Sequence, residues 1–166
     1  MRKIGVIVGR FQCPQLTAAH AALIEHVATK SDELIVFIGD AQTKLTFTNP
    51  LSYNVRAQML MQYLGQNIAS FWKICSIKDT KSDKVWSDSL DKRLEIIQGE
   101  DQDAEITLYG GRDSFIKYYS GKYKTMQVDL GFDHISASEI RDQVHKYLKS
   151  TPSWREGIIY ASANKY

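Results

Sequence analysis

The chain of 166 residues carries only two cysteines, Cys13 and Cys75, and only three prolines. The two thiols have no metal-ligand spacing and are too few for a disulfide framework, so a reducing, cytoplasmic setting is expected. Proline and glycine are too sparse and scattered for a flexible linker or a low-complexity tract. No apolar run approaches the roughly 20 residues that a membrane-spanning helix needs, and no membrane partner is expected. Met1-Arg2-Lys3 resembles the charged start of a secretion signal, but the apolar run that follows, Ile4–Val8, is far too short for one. The net charge of +2 lacks the basic balance of a dedicated nucleic-acid binder. An apolar share of 43% fits one ordinary globular domain over residues 1–166, long enough to bury a single sizeable core.

What is present is an alternation of short apolar runs with helical patterns. Lys3–Val8 is almost continuously apolar and β-branched, as a strand buried on both faces must be. His20, Leu23, Ile24 and Val27 then recur at helical spacing, giving a helix to about Lys30. Glu33–Ile38 is a second buried strand, ending in Gly39. Ser52 starts a helix with Val55, Met59, Leu60, Tyr63 and Leu64 on one face and Gly65 as its stop. Phe71–Ile77, Ala104–Tyr109 and Thr125–Leu130 are further strands. Helices are expected at Trp86–Ile97, in a short piece at Asp113–Tyr119, and at about 136–148 and 153–163. Five strands alternating with helices imply a parallel, doubly wound α/β sheet. Its ligand site belongs beyond the strand carboxyl ends, where Gly9, Gly39 and Gly110 fall.

Two segments at opposite ends of the chain join an apolar run to a helix start. The first is Gly9-Arg10-Phe11-Gln12 with Thr17-Ala18-Ala19-His20; the second is Ile135-Ser136-Ala137-Ser138-Glu139-Ile140-Arg141. Helix N-termini present backbone N–H groups and positive dipole ends, so two of them brought together would suit a polyphosphate. Each residue also has a plainer reading. Arg10 could be a solvated arginine in a tight loop, and His20 a buried histidine bonded to a backbone carbonyl. Ser136 and Glu139 fit a capping box, but Arg141 in the first turns of that helix opposes the dipole unless an anion is near. Gly110-Gly111-Arg112-Asp113 is either a second wall of the crevice or a turn with a local ion pair. Trp86 is either a core aromatic or a flat face for a heterocycle. Asp79, Asp83 and Asp88 lie in a charge-mixed segment without metal-ligand spacing and read as solvated.

These residues resemble the nucleotidyltransferase superfamily of small adenylyl- and cytidylyltransferases. Its His/Thr-x-x-His box appears as Thr17–His20, and its Ile-Ser-x-Thr/Ser-x-x-Arg box as Ile135–Arg141. Within it, the chain is similar to the archaeal-type nicotinamide-mononucleotide adenylyltransferases and to the adenylyltransferase half of proteins fused to a Nudix hydrolase. Gly39-Asp40-Ala41-Gln42, Asn49-Pro50, Arg56 and Trp86 carry that narrower likeness. Ala19 stands where the family has glycine, Thr17 where it often has histidine, and there is no Nudix signature.

The resemblance implies a Rossmann-like sheet of nucleotidyltransferase type and AMP transfer from ATP to nicotinamide mononucleotide, giving NAD and pyrophosphate. Mg²⁺ would enter with ATP, with no metal-ligand set in the chain. It places His20, Thr17, Arg10 and Arg141 at the chemistry. Gly9, Phe11, Gly110, Arg112, Asp113, Ser136 and Ser138 would join them in holding ATP, and Gln12, Gly39, Asp40, Asn49 and Trp86 would hold the acceptor. Another phosphorylated acceptor, nicotinic acid mononucleotide first, and a catalytically weak nucleotide sensor are the rival readings. Assembly into a homo-oligomer stays open.

Overall fold

A computed structural model describes residues 1–39, 45–99, 103–131 and 136–149. Five strands, β1 (Lys3–Gly9), β2 (Glu33–Gly39), β3 (Phe71–Ile77), β4 (Glu105–Gly110) and β5 (Lys124–Gln127), form one sheet in the order β3-β2-β1-β4-β5. Every pairing is parallel. Strand order therefore reverses between β1 and β4, which opens a crevice at their carboxyl ends.

The sequence of β2 explains the layering. All seven residues of Glu-Leu-Ile-Val-Phe-Ile-Gly are buried, and a strand turns successive side chains to opposite faces. Leu34, Val36 and Ile38 meet Leu23, Ile24 and Val27 of helix α1 (Ala18–Lys30) and Leu60 and Leu64 of α2 (Tyr53–Asn67). Ile35 and Phe37 meet Leu90 and Leu94 of α3 (Asp83–Gln98) on the other face. The sheet is thus covered on both sides, as expected of a doubly wound fold.

Several boundaries differ from the sequence expectation, the start of α3 at Asp83 instead of Trp86 among them. Helix α2 runs through Gly65 to Asn67, because Gly65 keeps helical backbone and the cap is the Ile68 N–H donating to the Leu64 carbonyl at 2.9 Å. Helix α3 does stop at a glycine, Gly99, with φ at +62°. The short piece after β4 is a 3₁₀ turn over Phe115–Tyr118, and β5 ends at Gln127 instead of Leu130. Helix α4 (Ala137–Lys149) matches its expected start. The expected helix at 153–163, Asp40 and Ile135 lie outside the described residues. Among the described residues no helix is long and apolar enough to cross a membrane.

Candidate active site

The residues that end β1 set the site. Phe11 adopts a left-handed backbone, φ 51°, which folds its ring back over Gly9. A Cβ on Gly9 would lie 2.9 Å from that ring, so the glycine is required by the chain's own phenylalanine. Phe11 is buried and packs against His20, ring centroids 5.0 Å apart.

His20 and Thr17 cap helix α1 reciprocally. The His20 N–H donates to Thr17 Oγ1 at 3.2 Å, and the Thr17 N–H donates to His20 Nδ1 at 3.3 Å. This is a capping box with histidine in the place usually held by Glu or Gln. Because Nδ1 accepts, the proton of the neutral ring sits on Nε2. Cys13 Sγ lies 3.9 Å from the same Nδ1. Burial pushes the Cys13 thiol up, against the smaller lowering effects of the Arg141 charge and a backbone hydrogen bond at Thr17.

Arg141 brings the second motif to the first. From α4 its Nη1 donates to the Gln12 carbonyl at 2.8 Å, and its Nη2 donates to Ser138 Oγ at 2.9 Å. Ser136 and Glu139 form the expected capping box, with Ser136 N–H to Glu139 Oε2 at 2.6 Å and Glu139 N–H to Ser136 Oγ at 3.1 Å. The Gln12 side chain is buried and bonded twice to one residue: Nε2 donates to the Leu51 carbonyl at 3.1 Å, and Oε1 accepts from the Leu51 N–H at 2.8 Å. What Gln12 presents to Arg141 is its backbone carbonyl.

Beside this junction a cavity of about 280 Å³ opens over the ends of β1 and β2. Gly9, Arg10 and Gly39 form its floor, and Asp79, Asp83 and Trp86 one wall. Phe115 and Tyr118 of the 3₁₀ turn close it, with Phe115 packed on Trp86 at 5.7 Å between centroids. Arg10 is ion-paired with Asp79 and donates to Asn49 Oδ1 at 3.5 Å. The reading of Asp79 as solvated is therefore corrected, since it is half-buried and paired with Arg10; Asp83 is exposed, as expected, and lines the cavity mouth with it.

Sequence reasoning also gave no role to Arg56. Its side chain is buried on α2, where Nη1 donates at 2.7 Å to both the Arg10 and Gly39 carbonyls and Nε donates to the Ser52 carbonyl at 3.3 Å. It ties together the carboxyl ends of β1 and β2. Gly110, Arg112 and Asp113 do not line the cavity. A Cβ on Gly110 would overlap Ser114, and Arg112 pairs locally with Asp113 at 3.2 Å, both side chains largely exposed.

Two capped helix starts thus lie beyond the carboxyl ends of a parallel doubly wound sheet, the place where such sheets bind ligands. The chain belongs to the cytidylyltransferase-like family, which matches residues 6–143. A nicotinamide-nucleotide adenylyltransferase of Thermococcus onnurineus is 32% identical over 88 residues, covering 52% of this chain and 46% of that protein. One from Aeropyrum pernix is 30% identical over 107 residues, covering 62% and 60%. The chain spans about half the length of the first of these relatives. Among solved structures, a bifunctional NMN adenylyltransferase/ADP ribose pyrophosphatase from Francisella tularensis superposes with a TM-score of 0.73 at 24% identity, covering 89% of this chain and 43% of that one. The same enzyme has been solved with AMP and a manganese ion, with a TM-score of 0.70, 24% identity, and 88% and 42% covered. The fold is that of these nucleotidyltransferases.

Proposed function

We propose that this protein transfers AMP from ATP to nicotinamide mononucleotide, forming NAD and pyrophosphate. The observation that carries the proposal is the bond from Arg141 to the Gln12 carbonyl, which sets the start of α4 against the loop that runs from Arg10, in a cavity walled by Trp86, to the Thr17–His20 cap. Relatives named as nicotinamide-nucleotide adenylyltransferases support it.

A phosphate oxygen of the mononucleotide attacks the α-phosphorus of ATP. The bond from that phosphorus to the bridging oxygen breaks, and its electron pair leaves with pyrophosphate. The nucleophile is already ionised, so no protein base is required. Catalysis is positioning plus stabilisation of charge on the α-phosphate and the leaving group. His20 donates from Nε2 to the α-phosphate, held in that tautomer by the Thr17 N–H. Arg10 and Arg141 take the β- and γ-phosphates, with Ser136, Ser138 and the start of α4. A charged guanidinium prefers phosphate to the neutral acceptors that Arg141 holds in this structure. Gly9 and Phe11 shape the floor, and Gly110, Arg112 and Asp113 belong to the adenosine side.

Trp86 stacks on the nicotinamide ring, while Gly39, Asp40 and Asn49 hold the acceptor and Gln12 fixes the loop bearing Leu51. Among the described residues no group of three His, Cys, Asp or Glu side chains is placed to hold a metal ion. Mg²⁺ would enter with ATP, bound to the triphosphate. The test is a coupled assay for pyrophosphate and dinucleotide with ATP and several phosphorylated acceptors. NAD formation from nicotinamide mononucleotide is expected; turnover only with phosphopantetheine or glycerol phosphate refutes the proposal.

A further inference from the structure

The cavity beneath Trp86 has an acidic wall. Arg10, Asp79 and Asp83 are its charged lining residues, and Arg10 and Asp79 neutralise one another in their ion pair. Asp83, the first residue of α3, makes no hydrogen bond or ion pair through its carboxylate to any described residue. Ser82 supplies the cap, accepting from the Val85 N–H at 3.4 Å, so the helix start asks of Asp83 only a favourable charge at the positive end of the α3 dipole and leaves its carboxylate oxygens available. The neighbouring cation Lys84 is turned to Asp88, at 2.5 Å. Among the described residues the cavity lining thus carries one carboxylate without an ion-pair partner, and a second appears if Arg10 leaves Asp79 for a phosphate.

The two mononucleotides that could enter differ in one group. Both rings are pyridinium cations through the bond to ribose. The amide form adds a neutral carboxamide with two N–H donors, and the acid form adds a carboxylate. A carboxylate wall attracts the cationic ring and accepts from the amide, but repels the acid at the position where the amide would donate. We propose that Asp83, joined by Asp79 when Arg10 turns to the phosphates, makes this cavity selective for the amide-bearing mononucleotide against the acid. The inference rests on the adenylyl-transfer reading above.

The experiment compares kcat/KM for nicotinamide mononucleotide and nicotinic acid mononucleotide at saturating ATP. Wild type, Asp83→Asn and Asp79→Asn are measured at low salt and at about 0.5 M salt, where charges are screened beyond about 4–5 Å. The wild type should favour the amide by about tenfold or more, the scale of one like-charge contact at a partly solvated site. Asp83→Asn should raise kcat/KM for the acid about tenfold on the same scale, Asp79→Asn should move the ratio the same way, and salt should shrink the wild-type ratio. Asp83→Ser removes the charge while keeping a residue suited to a helix start, so the ratio can still be read if the asparagine variant folds poorly. A wild-type ratio near one or favouring the acid overturns the inference, as does an unchanged ratio in a neutral Asp83 variant that still binds ATP. Both results leave adenylyl transfer standing. No dinucleotide from either mononucleotide overturns the adenylyl-transfer reading itself.

Discussion

The Arg141 guanidinium donates to the Gln12 carbonyl at 2.8 Å, joining positions 129 residues apart in the chain. One hydrogen bond thereby sets the start of α4 against the loop that leaves β1. The dipole conflict at Arg141 is answered in this structure by two neutral oxygens, of Gln12 and Ser138. A triphosphate offers the same donors a charged partner and a stronger bond. Arg141→Ala should weaken ATP binding about ten- to a hundredfold, the range for a hydrogen bond to a charged group, and mononucleotide binding far less. Separate calorimetric titrations check this, and equal losses for the two ligands would count against it.

His20 does two things that substitution can separate. Its Nδ1 caps α1 by accepting from the Thr17 N–H, and its Nε2 proton serves the proposed phosphate contact. Glutamine at the third position of a capping box keeps the cap. His20→Gln should therefore melt near the wild type, whereas His20→Ala should lose about 1 kcal/mol of stability. Both should lose turnover by about 10² or more, as when one preorganised donor is removed. Near-normal NAD synthesis by a folded variant would leave His20 as a structural cap.

Arg56 holds the cavity floor from behind. Truncation to alanine removes donors from the Arg10, Gly39 and Ser52 carbonyls and empties a buried volume. Stranded buried acceptors cost about 1–3 kcal/mol, and large-to-small core changes about 2–5 kcal/mol. Arg56→Ala should thus be destabilised by at least about 3 kcal/mol, on those same scales, with both ligands bound more weakly. A denaturant midpoint close to wild type would show that α2 does not carry the strand ends.

Local patterns were legible in the sequence, and long-range pairings were not. The apolar run of β2 announces burial on both faces, and the Ser136–Glu139 spacing announces a helix start. Both signals lie within a few residues. The Arg10–Asp79 pair spans 69 positions, so nothing near Asp79 distinguishes it from the charges around it. Arg56 stood out only through the family likeness; its role was hidden for the same reason, since nothing near it in the sequence shows that two strand ends aim their carbonyls at it. Gly9 and Gly110 were placed correctly at strand ends. Their neighbours, however, are Phe11 and Ser114 of the chain itself.

Stability should fall in alkali. Burial pushes the Cys13 and Cys75 thiols above their ordinary 9.0. Burial and the hydrogen bond to Glu25 push Tyr63 up to about 12, and burial and Asp91 raise Tyr119. Groups raised on folding give stability that is complete below the unfolded values and is lost as pH climbs through the folded ones. The urea midpoint should hold to about pH 8.5, where unfolded thiols begin to ionise, and then decline. A midpoint that is flat or rising to about pH 10.5, beyond the ordinary thiol and phenol values, would contradict this.

Trp86 is half-buried in the first turn of α3, packed on Phe115 and facing the cavity shared with Arg10 and Asp83. The indole lines the cavity beside Phe115 and offers it a ring on which a heterocycle can stack. Stacking adds about 0.5–1.5 kcal/mol to the burial of apolar area, so Trp86→Ala should raise the Michaelis constant for nicotinamide mononucleotide several-fold to about a hundredfold. ATP affinity should change little. Trp86→Phe should recover part of the loss, because a ring is retained and only its area shrinks. Mononucleotide should quench tryptophan fluorescence in the wild type and not in Trp86→Ala, the difference removing the constant emission of Trp72 and Trp154. If Trp86→Ala instead loses ATP and mononucleotide binding alike, the indole supports the fold and the acceptor does not stack on it.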